Sequence, residues 1–105
     1  MIGTVMSVRV KPDRSAEFAR LVTQLQADVR KNEPDVPVFQ VLRSDDDPLL
    51  FVFVEVFATE AAHAAHPDMP YHQAMAAAGW ACVDGQPETK RFTALSNDHL
   101  AGATL

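Results

Sequence analysis

The chain has 105 residues, enough for one domain with a modest core and too few for two. Its 48% hydrophobic and 22% charged residues describe a globular chain, and a net charge of −5 leaves no basic face for nucleic acid. The longest strongly apolar run, "PLLFVFVEVFA", is broken by Glu55 and falls short of the roughly 20 residues that span a bilayer, so neither nucleic acid nor membrane is expected as a partner.

Residues 2–10, "IGTVMSVRV", are rich in β-branched side chains and end at Lys11-Pro12, which predicts a strand and a stop. Asp13 or Ser15 is placed to cap the helix that follows. Within it Phe18, Leu21, Val22, Leu25 and Val29 recur at helical spacing, while Arg20, Gln24, Asp28 and Lys31 take the other side. Pro34 ends this helix. Residues 36–44 and 49–57 read as two strands joined across "DDDP". Thr59 caps a short helix that Pro67 interrupts, and Asp68 and Pro70 open a second one. Gly85 and Pro87 close that segment, and 88–95 is a last strand.

The order strand, helix, strand, strand, helices, strand is the split βαβ arrangement of a ferredoxin-like α+β sandwich with a four-stranded antiparallel sheet. It places one domain at 1–95, followed by a small polar tail at 96–105. In the third strand Leu50, Val52, Val54 and Val56 are apolar, and so are Leu49, Phe51, Phe53 and Phe57 on the opposite face, where Glu55 is the exception. A strand apolar on both faces is buried on both, and the helices cover only one. A second copy of the chain is the expected cover, a homodimer with its sheets face to face. The N-terminus shows no secretory pattern, and the single cysteine, Cys82, cannot form an internal disulfide; the expected location is the cytoplasm.

Four stretches, taken in this order, resemble the antibiotic biosynthesis monooxygenase (ABM) domain family. They are "VRVKPDRSAEF", "NEPDVPVFQVLRSDDDP", "FVFVEVF" followed by "ATEAAHAAH", and "MPYHQAM". The resemblance implies a dimeric α+β barrel with a pocket between the helices and sheet of each subunit. It also implies oxygenation of phenolic or quinol substrates by dioxygen, without metal or flavin. Other members isomerise small phosphorylated sugars or degrade haem, so resemblance alone does not set the reaction. Haem-degrading members carry an asparagine on the first strand and a tryptophan ending the third, where this chain has Met6 and Phe57; haem is not the expected substrate.

Cofactor-free oxygenation requires a base for a phenolic proton, a dry slot for the resulting anion, and room for dioxygen. A histidine or a desolvated carboxylate suits the base. Three of the four histidines fall in "HAAHPDMPYH", residues 63–72. His66 and His72 match positions where the resemblance implies histidine, and either is a candidate proton acceptor; alternatively both hydrogen-bond backbone groups and fix the helix corner. Glu55 orients the substrate or, in the bland alternative, pairs with Arg43 or Arg91. Phe51, Phe53, Phe57, Tyr71, Met75 and Trp80 are expected to line the slot, with Tyr71 able to donate to a substrate oxygen, although each serves equally well as core. H-x-x-H with a distant third histidine is not a zinc spacing, so no metal is expected, and no Gly-rich loop suggests a nucleotide cofactor. His63 and His99 are expected to face solvent, and Cys82 to be an inert buried thiol. The expected function is a cofactor-independent monooxygenase of a small quinol or polyphenol. The alternatives are an isomerase or lyase of a small polar metabolite, or a non-catalytic dimeric ligand-binding or stress-response protein.

Overall fold

The computed structural model describes residues 1–97; residues 98–105, which include His99 and most of the expected tail, lie outside the described residues. Strand β1 (Ile2–Arg9) alternates, with Ile2, Thr4 and Val8 turned into the core, and stops where Lys11-Pro12 begins a 3-10 turn, Pro12–Arg14. Helix α1 (Ser15–Asn32) follows without the expected side-chain cap. Pro12 starts the tight turn early, so the Arg14 amide already donates to Lys11 O at 2.9 Å. Ser15 Oγ donates instead to Pro48 O at 3.4 Å, and Asp13 sits within the turn. The helix buries Phe18, Val22, Leu25 and Val29 in one stripe, as their spacing requires.

Strands β2 (Val38–Arg43) and β3 (Leu50–Phe57) are joined by a turn in which Ser44 Oγ accepts from the Asp47 amide and Asp47 Oδ1 from that of Leu49. Thr59 Oγ1 accepts from the Ala62 amide at 3.0 Å and caps α2 (Glu60–Ala65). Pro67 then forces a 3-10 turn, His66–Asp68, before α3 (Pro70–Ala81). Asp68 does not cap α3: it belongs to that turn, and Met69 occupies the cap position without a side-chain bond. Gly85, with φ +80°, reverses the chain toward β4 (Glu88–Thr93), an edge strand exposed along its whole length.

The sheet order is β2-β3-β1-β4 with every neighbouring pair antiparallel, the ferredoxin-like arrangement. Helices cover one face, where Phe18 meets Phe51 edge to face with centroids 4.9 Å apart. Burying each such ring contributes about 1.5–3 kcal/mol. On the face that the described residues leave uncovered, Val52, Val54 and Val56 are half-buried, and Val38, Leu42 and Phe92 are exposed. No helix among the described residues is long and apolar enough to cross a membrane.

Candidate active site

Glu55 occupies the middle of β3, opposite Thr4 of β1 and Phe39 of β2, on the helix-covered face. Thr4 Oγ1 donates to Glu55 Oε2 at 3.3 Å. The proline break between α2 and α3 lowers His66 onto this carboxylate. His66 is 7% exposed, with Nε2 3.3 Å from Glu55 Oε1. Its Nδ1 lies 3.0 Å from Oε1 of Glu33, itself 6% exposed, and the Tyr71 hydroxyl donates to the other oxygen of Glu33. The rings of Phe39 and Phe57 flank the imidazole, each with its centroid 5.4 Å away.

Two carboxylates facing the two ring nitrogens leave only the imidazolium able to donate to both. Burial alone would lower the His66 pKa, but the hydrogen bonds to Glu55 and Glu33, with their charges, overcome it and the pKa is raised. His72 lies ring to ring with His66, centroids 4.9 Å apart. Burial, and then the His66 charge, depress its pKa, so at neutral pH it is an uncharged imidazole. Burial and then the hydrogen bond to Glu33 raise the Tyr71 phenol, so it stays protonated.

Glu55, His66 and His72 form the polar edge of a cavity of about 60 Å³, otherwise walled by apolar side chains that include Phe39, Phe53, Met75 and Trp80. Trp80 is half-exposed at the rim, and the Met75 sulfur packs over Gly79, 3.0 Å from where a Cβ would stand.

The structure thus brings together Glu55, His66, His72, Phe53, Met75 and Trp80. Phe51 and Phe57 do not line the cavity: Phe51 packs on Phe18, and Phe57 on His63 and His66. Tyr71 is likewise outside the lining, engaged by Glu33. The arginines considered as partners of Glu55 are used elsewhere, Arg43 over the Phe51 ring and Arg91 paired with Glu60. The side chain of His66 binds carboxylates rather than backbone. His63 is half-buried against Phe57, not turned to solvent, and Cys82 is fully buried with its thiol pushed up by desolvation. Among the described residues no group of three His, Cys, Asp or Glu side chains is placed to hold a metal ion.

Glu33 is the site residue that sequence reasoning overlooked. Its signal was available: a carboxylate at the C-terminal cap of α1, where the helix dipole disfavours negative charge.

Comparison with known proteins adds the family. The family model for antibiotic biosynthesis monooxygenase matches residues 1–78. The chain belongs to the antibiotic biosynthesis monooxygenase family. A Caulobacter crescentus CB15 crystal structure named for the same ABM family shares 30% identity and superposes with a TM-score of 0.86 over 90% of each chain. A Nitrosomonas europaea structure, 24% identical, gives 0.84 over 91% of this chain and 100% of that one, a likeness of ABM fold alone. Another, from Bacteroides thetaiotaomicron VPI-5482 at 19% identity, gives 0.84 over 99% of this chain and 94% of the other. No curated protein matches the chain. Membership and the Caulobacter likeness support a monooxygenase-type role for this ABM protein.

Proposed function

We propose that the protein is a cofactor-independent monooxygenase of a small quinol or polyphenol, with His72 as proton acceptor. The observation that carries this reading is a neutral His72 at the edge of an otherwise apolar cavity, beside an imidazolium already held by two carboxylates. His66 has no free nitrogen with which to take a proton. His72 makes no side-chain hydrogen bond among the described residues, so its lone pair is available to a phenolic hydroxyl.

In the reaction the phenolic proton passes to His72, and the ring anion gives one electron to dioxygen. Superoxide and the ring radical combine at a ring carbon, His72 returns its proton to the peroxide, and water leaves as the carbon loses its hydrogen. One oxygen atom remains as the new quinone carbonyl, and the other is in the water. Glu55, fixed by Thr4 and His66, orients the hydroxyl, while Phe53, Met75 and Trp80 hold the ring. The active unit in this proposal is a homodimer closed over the uncovered sheet face. The expected location remains the cytoplasm.

Oxygen uptake against a panel of quinols and anthrols, with His72→Ala and Glu55→Gln in parallel, tests it. Uptake well above autoxidation and reduced about 100-fold or more in His72→Ala is expected, within the usual range for a general base. A flat trace with an intact fold overturns it. The small cavity favours one second reading, a ligand-binding protein without turnover, which binding without oxygen uptake would establish.

A further inference from the structure

The charges around the cavity restrict what can enter it. Among the described residues its titratable lining consists of Glu55, His66 and His72, and none of the lysines or arginines lines it. Six of the nine basic side chains are engaged elsewhere: Arg9 with Asp47, Arg14 with Glu17, Arg30 with Gln40, Arg43 over the Phe51 ring, Arg91 with Glu60, and Lys11 on the Ala81 carbonyl. One imidazolium stands between the buried carboxylate of Glu33 and the half-buried one of Glu55; Glu55 and His66 line the cavity and Glu33 lies directly behind His66, so the three groups together bring a net single negative charge to its polar edge. Both N–H donors of that imidazolium are taken by the protein's own carboxylates, and none is left for an incoming anion.

We propose that this pocket discriminates by charge, accepting phenols and hydroquinones that bear no ionised group and rejecting their carboxylated or phosphorylated counterparts. The inference rests on the reading of the cavity as the substrate pocket. An anionic substituent would leave water for a low-dielectric slot whose one cation, His66, is already paired, and meet a like charge at its polar edge. A neutral phenol meets a hydrogen-bond acceptor in His72 and apolar contact from Phe39, Phe53 and Met75. The negative charge it acquires on deprotonation is matched at once by the proton gained by His72, so the pair entering the oxygenation step adds no net charge. The same wall is unfavourable to sugar phosphates, which separates this protein's substrates from those of a phosphosugar isomerase.

The sole tryptophan, Trp80, stands at the rim and reports occupancy without turnover. The experiment is an anaerobic titration of the full chain with methyl 2,5-dihydroxybenzoate and with 2,5-dihydroxybenzoate, read by Trp80 emission and by calorimetry. The two differ by one methyl group and one negative charge. The ester is expected to bind at least about 30-fold more tightly than the acid, a modest fraction of the several kcal/mol that like-charge juxtaposition can cost. In Glu55→Gln, which removes the excess charge, the gap should shrink severalfold. Equal or tighter binding of the acid overturns charge discrimination while leaving the pocket and its monooxygenase reading intact. Binding of neither ligand, by either readout, overturns both the discrimination and the pocket.

Discussion

With a carboxylate at each ring nitrogen, His66 has one protonation state that satisfies all its neighbours, and its proton becomes part of the fold's stability. The His66 pKa is raised on folding, so its contribution is complete below about pH 6.5, the value of a free histidine, and is lost as pH climbs through the raised value. His72 acts in the opposite direction: its pKa is depressed, so the folded state is penalised as pH falls below about 6.5. Urea unfolding across this range should show stability declining on the alkaline side through His66. In Glu33→Gln the decline should begin at lower pH, and the proton resonances of His66 should titrate earlier, with a loss of about 1–3 kcal/mol near neutrality. An unchanged His66 titration would remove Glu33 from the role of holding it. The C-cap position of Glu33 could mark it as unusual but not assign its partners, because His66 and Tyr71 lie 33 and 38 residues away in the chain. Glu55 stood out by contrast, as the one polar residue on an aromatic strand face.

Elements were legible where their signal was local. The β-branched runs, the stripe of α1, the Thr59 cap and the Pro67 break all follow from residues within a few positions of one another. The missing caps of α1 and α3 were not, because a 3-10 turn before each helix displaced the expected capping geometry. Two expectations belong to this scale. Thr59→Ala should cost about 1 kcal/mol in chemical denaturation, through loss of the bond to the Ala62 amide. Gly79→Ala should change stability by less than about 1 kcal/mol, because the helix propensity of alanine is offset by pressure on Met75. It should nevertheless weaken binding of a ring-sized ligand, measured by calorimetry, since the Met75 thioether is pushed toward the cavity. The proline break also explains why two histidines six residues apart share a wall. On a continuous helix they would sit about 120° apart around the axis; across the corner their centroids are 4.9 Å apart.

For the whole molecule, the proposed homodimer depends on the sheet face that the described helices leave open. Val52, Val54 and Val56 lie half-buried beside exposed Val38, Leu42 and Phe92, a contiguous apolar surface of the kind that seats a partner. Val54→Asp, at the centre of this face, should convert a dimer to monomer in light scattering or sedimentation while leaving far-UV circular dichroism unchanged. A wild-type chain that sediments as a monomer would overturn the homodimer. The rim of the sheet has a different character. Strand β4 is exposed throughout and carries Glu88, Lys90 and Arg91 on an edge that no other described strand pairs. Charges there make addition of another strand costly, so growth in the plane of the sheet is discouraged while face-to-face closure is not. In a concentrated or ageing solution this guards against ribbons and fibres, a colloidal safeguard built from three side chains that the proposed reaction does not use.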